Sequence, residues 1–288
     1  MDAILIAARF ALYVDLAALA GLPLFWWSMG ELALSPGRRA SLAALALGGL
    51  ILSATWLAAS AAAMAGTPLL PPDTAVIGML LHDTPIGAVL AARVVAIATM
   101  LALLALAPRT PPLAIVAALA AATLAGVGHA GAGEGSAGWI HCIADGLHAV
   151  AAAGWFGALL ALTGGVARRV SAERSAMALH RFSLFGTVFV AVLVVTGAIN
   201  TVMIAGWSGL PALASTLYGR LLIAKIALFG GMLLLAAANR WQLTPRLMRD
   251  GAAALPALRR SLALETALAL AIIALVAALG TMDPTAAP

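Results

Sequence analysis

The sequence predicts an all-α fold, a polytopic membrane protein built as a bundle of eight transmembrane helices. Three observations support this fold class. Of the 288 residues, 64% are hydrophobic and only 9% are charged, and the mean hydropathy is +1.07, whereas soluble domains carry about 25% charged residues. Eight apolar segments each approach the roughly 20 residues that a helix needs to cross a bilayer. Arginines are concentrated in every second connection between these segments.

The eight predicted spans are separated by short connections rich in turn-forming residues. They lie near residues 3–28, 40–65, 86–107, 112–129, 139–164, 181–206, 216–238 and 257–280. Proline and glycine interrupt the apolar pattern between them, for example at Pro36, Pro71 and Pro211. No clear cleavage site follows the first span, so we expect it to remain as a helix. We therefore expect one transmembrane domain over residues 1–288, surrounded by membrane lipid.

The distribution of basic residues predicts the orientation of the bundle. Twelve of the 16 basic residues lie in the connections after spans 1, 3, 5 and 7 or within the first few residues of the spans that follow them. Arginine and lysine are enriched in cytoplasmic loops, so these connections are expected to face the cytoplasm and both termini the outer side. The net charge of +5 belongs to this pattern and does not indicate nucleic-acid binding.

Histidines and an aspartate in the outer half of the bundle form the candidate site. His141, Asp145 and His148 are spaced i, i+4, i+7 in span 5, which places them within about 40° of one helix direction. His129 closes the preceding span, and His82 lies in an outer connection. Ionisable residues inside a bilayer are costly and mark functional sites. The sequence therefore indicates a site that opens to the outer side.

These side chains have the chemistry of metal ligands. Imidazole binds copper, zinc, nickel and iron. Asp145 is expected either to bind the metal or to fix the tautomer of a histidine. Met64 and Met79, near the outer end of span 2, would add soft ligands for Cu⁺. The alternative is that the histidines, His82 above all, are polar interfacial residues bonded to neighbours and water. The spacing does not name the metal.

Other polar residues inside the spans are predicted to support the site. Asp15 is expected either to pair with Arg9 or Arg93 or to serve in a proton or cation relay. Asn200, like the asparagine at position 239, is expected to donate an interhelical hydrogen bond. Trp155 lies two turns below the deeper histidine on the same helix face, where it would pack beneath the site. P-loop, H-E-x-x-H and G-x-S-x-G motifs are absent from the sequence, so an ATP-driven pump is not indicated.

Four ordered motifs resemble the family of CopD-type copper resistance membrane proteins, which is related to PcoD and to the membrane part of YcnJ. The most specific is GHA followed by D-x-x-H-x-x-x-x-x-x-W-x-G, which ends at Gly157. The others are DTPIGAVLAAR, RFSLFGTVFVAVLVVTGAIN and YGRLLIAKIALFGGMLLLAAANRWQLTP, at residues 83–93, 181–200 and 218–245. Together they cover most of residues 80–245.

The resemblance implies a bacterial inner-membrane protein of copper homeostasis that moves copper from the periplasm toward the cytoplasm. In such a membrane the outer side is the periplasm, so the loop charges predict that both termini are periplasmic. It gives most weight to His129, Asp145 and His148. It also implies a periplasmic CopC-type copper chaperone, which we expect to be a separate chain. No enzymatic activity is expected. Two alternatives stay open: a haem protein with His129 and His148 as axial ligands, and a copper-dependent membrane enzyme or copper-delivery factor. The inner half offers no convincing chain of ligands, because Glu265, Asn239 and His180 do not form one.

Overall fold

Long apolar helices make up most of the chain. The computed structural model describes residues 2–128, 135–167, 171–209 and 214–283, and within these ranges the chain forms ten α-helices. The helices are α1 (Asp2–Ser28), α2 (Pro36–Ala65), α3 (Thr74–His82), α4 (Pro85–Leu106), α5 (Thr110–Ala122), α6 (Gly135–Ala167), α7 (Ala172–Gly209), α8 (Leu217–Ala238), α9 (Thr244–Asp250) and α10 (Leu255–Leu279).

Seven described segments are long and apolar enough to cross a membrane. The seventh runs from residue 217 to residue 279 and contains both α8 and α10, which have 22 and 25 residues. The eight predicted spans coincide with α1, α2, α4, α5, α6, α7, α8 and α10. The chain is therefore a nearly all-helical, multi-pass membrane protein, as predicted from its composition.

Two of the predicted connections contain helical structure of their own. Helix α3 occupies the connection after α2 and is capped by Asp73, whose carboxylate accepts from the backbone N–H groups of Ala75 and Val76. Between α8 and α10 the chain continues through a π-helical turn (Asn239–Leu243), α9 and a 3₁₀ turn. Hydropathy alone did not predict these elements, because each is too short to form a span.

Helix α1 lies at the centre of the bundle. It packs against α2, α5, α6 and α10. Leu12, Leu16 and Leu19 have no solvent-exposed surface, and their i, i+4, i+7 spacing places them on one face of α1. Helices with all-round neighbours can be apolar on every side, which matches the almost uniformly apolar sequence of α1.

Helices α1 and α6 approach each other closely at two glycines. A Cβ atom built on Gly21 would lie 1.9 Å from the carbonyl oxygen of Ala153, and one built on Gly157 would lie 2.0 Å from the backbone of Gly21. Small residues permit such contacts between membrane helices, where packing drives association. The two glycines therefore fix α6, which carries Asp145 and His148, against the central helix.

Substitution of Gly157 by alanine is expected to destabilise the bundle by about 1–3 kcal/mol, because the added methyl group would force α1 and α6 apart. Gly164→Ala is the matched control on the same helix, since nothing lies within 4 Å of its Cβ position. Thermal unfolding in detergent measures the difference. Equal midpoints for the two variants would show that the α1–α6 contact is not tight.

Candidate functional site at the α6–α7 interface

Two polar contacts connect α6 to α7 in the middle of the apolar bundle. Nδ1 of His148 lies 2.9 Å from Oγ1 of Thr196. The side-chain amide of Asn200 donates to Oδ1 of Asp145, also at 2.9 Å. The spacings i, i+3 on α6 and i, i+4 on α7 put each pair on one helix face. The pairing order shows that the two helices are antiparallel.

The direction of the first contact fixes the tautomer of His148. The Thr196 hydroxyl donates its one proton to the backbone carbonyl of Val192, 2.5 Å away. It must therefore accept from Nδ1 of the imidazole, which places the proton of the neutral ring on Nδ1 and the lone pair on Nε2. The Nδ1–Cε1 edge faces the α7 backbone, because a Cβ at Gly197 would lie 3.5 Å from Cε1. The Leu193 carbonyl also interacts with the ring. In its neutral form, the imidazole is thus oriented with its lone pair on Nε2.

Asp145 is the acidic centre of a larger polar cluster. Tyr13 of α1, and Tyr218 and Lys225 of α8, lie within electrostatic range of its carboxylate. Lys225 also acts on His148. Four helices therefore direct polar side chains to this point, which we call the His148 cluster: Tyr13, Asp145, His148, Thr196, Asn200, Tyr218 and Lys225. Buried charges in a bilayer are paired or functional, and here an acid faces a base.

Asn200 carries an open acceptor at the cluster. Its amide N–H group is used by Asp145, but its Oδ1 atom is buried and has no hydrogen-bond partner among the described residues. Buried polar atoms are nearly always satisfied, and exceptions point to a missing water or ion. The cluster thus offers the Nε2 lone pair and a carbonyl oxygen to a ligand.

Within the described residues, α6 does not form a three-ligand metal centre from His141, Asp145 and His148. No group of three or more His, Cys, Asp or Glu residues there could hold a metal ion. His141 is buried, but seven residues of helix separate it from His148 by about 10 Å, too far for one ion. His129 lies outside the described residues, so its part in the site stays a prediction.

The three other predicted ligands lie at the surface. His82 is exposed in the last turn of α3. Met64 at the end of α2 is 63% exposed, and Met79 on α3 is 37% exposed. All three therefore belong to one end of the bundle and lie outside the His148 cluster. Any role as donors would be at the surface.

Of the two alternatives for Asp15, the ion pair with Arg9 or Arg93 is absent among the described residues. Asp15 instead points at α2, where its two oxygens lie 2.9 Å from the positions that a Cβ would take at Gly48 and Gly49. Its Oδ2 atom is buried without a hydrogen-bond partner. The glycines make room for the carboxyl group, which forms no ion pair with either arginine among the described residues.

The two arginines find neutral partners. Arg93, which is fully buried, donates through Nε to Oγ1 of Thr123 at 2.8 Å and through its terminal nitrogens to Ser53 Oγ and the Thr123 carbonyl, each at 3.4 Å. Arg9 donates to the Tyr13 hydroxyl at 2.7 Å. Arg93 thereby ties α4 to α2 and to the end of α5, the segment that leads toward His129.

Trp155 lies two turns deeper on α6 than His148. Its ring is 4% exposed and packs edge-on against Phe229 of α8, with ring centroids 5.9 Å apart. This contact bridges α6 and α8 below the His148 cluster. The structure thus places a large, mostly apolar side chain two helix turns from the histidine on α6.

Thr196, Tyr13 and Tyr218 were missed by the sequence reasoning. A signal for Thr196 was present, because it precedes Asn200 by four residues and so shares its helix face. Thr196 and Asn200 are therefore spaced so that they can pair with His148 and Asp145 on the preceding, antiparallel helix. The tyrosines gave no such signal, since their helices meet α6 only in the folded bundle.

Comparison with known proteins identifies related families and relatives of the chain. Two family models match the chain: "Copper resistance protein D-like, N-terminal domain" over residues 1–139 and "Copper resistance protein D" over residues 176–279. Copper resistance protein D of Pseudomonas syringae pv. tomato is 36% identical over 307 residues, 98% of this chain and 97% of that protein. Inner membrane protein YebZ of Escherichia coli (strain K12) is 33% identical over 163 residues, 56% of this chain and 55% of that protein. No solved structure matches the chain.

Proposed function

Because the chain belongs to the copper resistance protein D family, we propose that it binds copper ions in the bacterial inner membrane and moves them from the periplasm toward the cytoplasm. The His148 cluster is the binding point on this route. Copper is the substrate, and Asp145, His148 and Asn200 supply the atoms that receive it, joined by His129 of the neighbouring segment.

The observation that carries this proposal is the fixed orientation of His148. A metal-binding histidine typically donates its second ring N–H group to an acceptor that holds the ring in place. The Thr196 hydroxyl is such an acceptor, since its own proton is committed to Val192. Nε2 is then the metal-binding atom, and imidazole nitrogen suits copper in both oxidation states. The unpartnered Oδ1 atom of Asn200 gives a second donor.

Charge balance at the cluster favours passage over permanent retention. Asp145 attracts a cation, whereas Lys225 acts on both Asp145 and His148 and repels one. A transported ion must bind favourably enough to enter and weakly enough to leave. A cluster with one acid and one base satisfies this requirement better than a closed cage of thiolates.

The arginine-rich connections support the orientation of this route in the membrane. By the positive-inside rule they face the cytoplasm, so the N-terminal end of α6 faces the periplasm. His148 lies 13 residues after the start of α6, or about 20 Å along its axis. Copper would therefore enter from the periplasmic end, pass His141 and the surface donors His82, Met64 and Met79, and reach the cluster near mid-membrane.

Copper flux into vesicles that contain the purified protein tests the proposal. We expect copper to accumulate in these vesicles and not in protein-free ones. If copper binds to the protein but does not cross the membrane, the transport proposal is wrong and a role in copper delivery is favoured. A visible spectrum of the same sample is the control for cofactor content. A Soret band would show bound haem and would favour the haem-protein alternative over copper binding.

A further inference from the structure

A second polar site lies in the half of the bundle that carries the arginine-rich connections. A cleft of about 190 Å³ separates α7 from α8, with α6 and α10 behind it. We call it the inner cleft. Its walls are mostly apolar, and its polar side chains are Ser183, Thr187, Asn239, Arg240 and Glu265. Arg240 and Trp241 line it too and are exposed, so the cleft opens toward this end of the bundle.

Glu265 and Asn239 form a hydrogen-bonded pair at the buried side of the inner cleft. Glu265 is 2% exposed and Asn239 is 5% exposed. The amide of Asn239 donates to Oε1 of Glu265 at 2.5 Å, and the Oδ1 atom of Asn239 is buried without a partner. Asn239 begins the π-helical turn after α8. Single π turns are frequent at functional sites, and this one aims the amide at α10.

No cation neutralises Glu265 within the described residues. The residues of α6, α7 and α8 that line the inner cleft are uncharged. Arg240, the other charged residue of the lining, donates to Oγ1 of Thr187 at 3.2 Å. Helix α1 also packs on α10, but its Arg9 contacts Gly280, about 22 Å along α10 from Glu265. An ionised carboxylate without a cation is costly inside a membrane.

We propose that Glu265 and Asn239 form a proton-binding site, separate from the His148 cluster, that is reached from the arginine-rich end through the inner cleft. The donors favour a proton over a metal ion. Two side chains supply a few hard oxygen atoms, whereas hard cations take six or more oxygen ligands and Cu⁺ prefers softer ones. A carboxyl group with one amide donor holds a proton without further ligands.

Trp155 separates this site from the His148 cluster. It lines the inner cleft and packs on Phe229, about 10 Å deeper along α6 than His148. The apolar ring between the two polar sites keeps their ligands apart. The proton site is thus defined by the inner cleft alone and does not depend on whether the outer cluster carries copper.

Carbodiimide labelling of the full-length protein tests the proton site. These lipid-soluble reagents react with protonated carboxyl groups in membranes, and mass spectrometry locates the adduct. We expect Glu265 to be labelled, at a rate that falls about tenfold per pH unit once the carboxyl group ionises. The Glu265→Gln variant is the control for the position of the label. Sodium, potassium or Cu⁺ at constant pH should leave the rate unchanged.

Three outcomes would overturn the proton site. A rate that is independent of pH between about pH 6 and pH 9 would show that the carboxyl group neither gains nor releases a proton in this range. Protection by one of the metal cations at constant pH would assign the site to that cation. Absence of label on Glu265, while Asp15 in the same sample is labelled, would show that the inner cleft does not expose the carboxyl group.

The route through the inner cleft has its own test. In a Cys142→Ala background, which removes the single cysteine, Ala237→Cys places a thiol in the cleft lining and Leu234→Cys places one on the 75% exposed outer face of α8. Polar maleimides require a hydrated thiolate. We expect Ala237→Cys to react at least tenfold faster, and from the arginine-rich side. Equal rates, or reaction from the opposite side, would exclude this route.

Discussion

Replacement of His148 by alanine is expected to abolish copper uptake into vesicles that contain the purified protein. The substitution removes Nε2, the nitrogen lone pair that the contact with Thr196 leaves available. The remaining cluster has a carboxylate, an amide oxygen and Lys225, whose positive charge then opposes an incoming cation with no imidazole to offset it. Uptake of radioactive or colorimetrically assayed copper, at equal protein content, gives the measurement.

Thr196→Val separates the orientation of the imidazole from its presence. Valine keeps the shape of threonine but removes the acceptor that fixes Nδ1–H. Loss of a partner that orients a metal-bound histidine costs about 10–100-fold in metal affinity. Thr196→Ser should restore binding, since it keeps the hydroxyl group. Thr201→Val is the matched control on α7, because the hydroxyl of Thr201 donates only to the carbonyl of Gly197 on its own helix.

The pattern across these variants decides the role of His148. Normal copper uptake by the alanine variant, in protein that unfolds at the same temperature as the wild type, would place the copper route elsewhere in the bundle. Loss of uptake in all four variants alike, including Thr201→Val, would indicate general damage to α7. A graded order, with alanine lowest and valine at position 196 between, is the result that metal binding at Nε2 requires.

The helices were predictable because the information is local. A bilayer demands about 20 apolar residues in sequence, and proline and glycine mark the interruptions, so the eight predicted spans agree with the helices to within a few residues at most ends. Helix α7 is the main exception: it begins at Ala172, nine residues before the predicted start. Hydropathy reports the apolar part of a helix, and the polar first turns of α7 lie outside it.

The polar contacts were predictable only in part, because they depend on which helix faces meet. The interhelical hydrogen bonds expected from Asn200 and Asn239 are present, since an amide in a bilayer must find a partner and has few to choose from. Asp15 shows the opposite case. Asp15 lies next to the glycines of α2. The sequence around Asp15 does not predict which face of α1 packs against that helix.

Replacement of Arg93 by alanine is expected to destabilise the bundle by about 3–5 kcal/mol, as truncation of a large, fully buried side chain does. Arg93 has no exposed surface and joins α4 to Ser53 on α2 and to Thr123 after α5. Its loss leaves a cavity at the junction of three helices. Unfolding of the purified protein in detergent measures the change, with Arg220→Ala, at an exposed position, as the neutral control.

Arg93→Met tests whether the volume or the charge of the side chain matters. The hydroxyl groups that accept from Arg93 already donate elsewhere, Ser53 to the Gly49 carbonyl and Thr123 to the Ala120 carbonyl. Methionine would therefore fill the space without leaving any hydrogen-bond donor unpaired. Removal of a buried charge is also often neutral for stability. We expect the methionine variant to stay within about 1.5 kcal/mol of the wild type. If it is as unstable as the alanine variant, the hydrogen bonds of the guanidinium group, rather than its bulk, hold the three helices together.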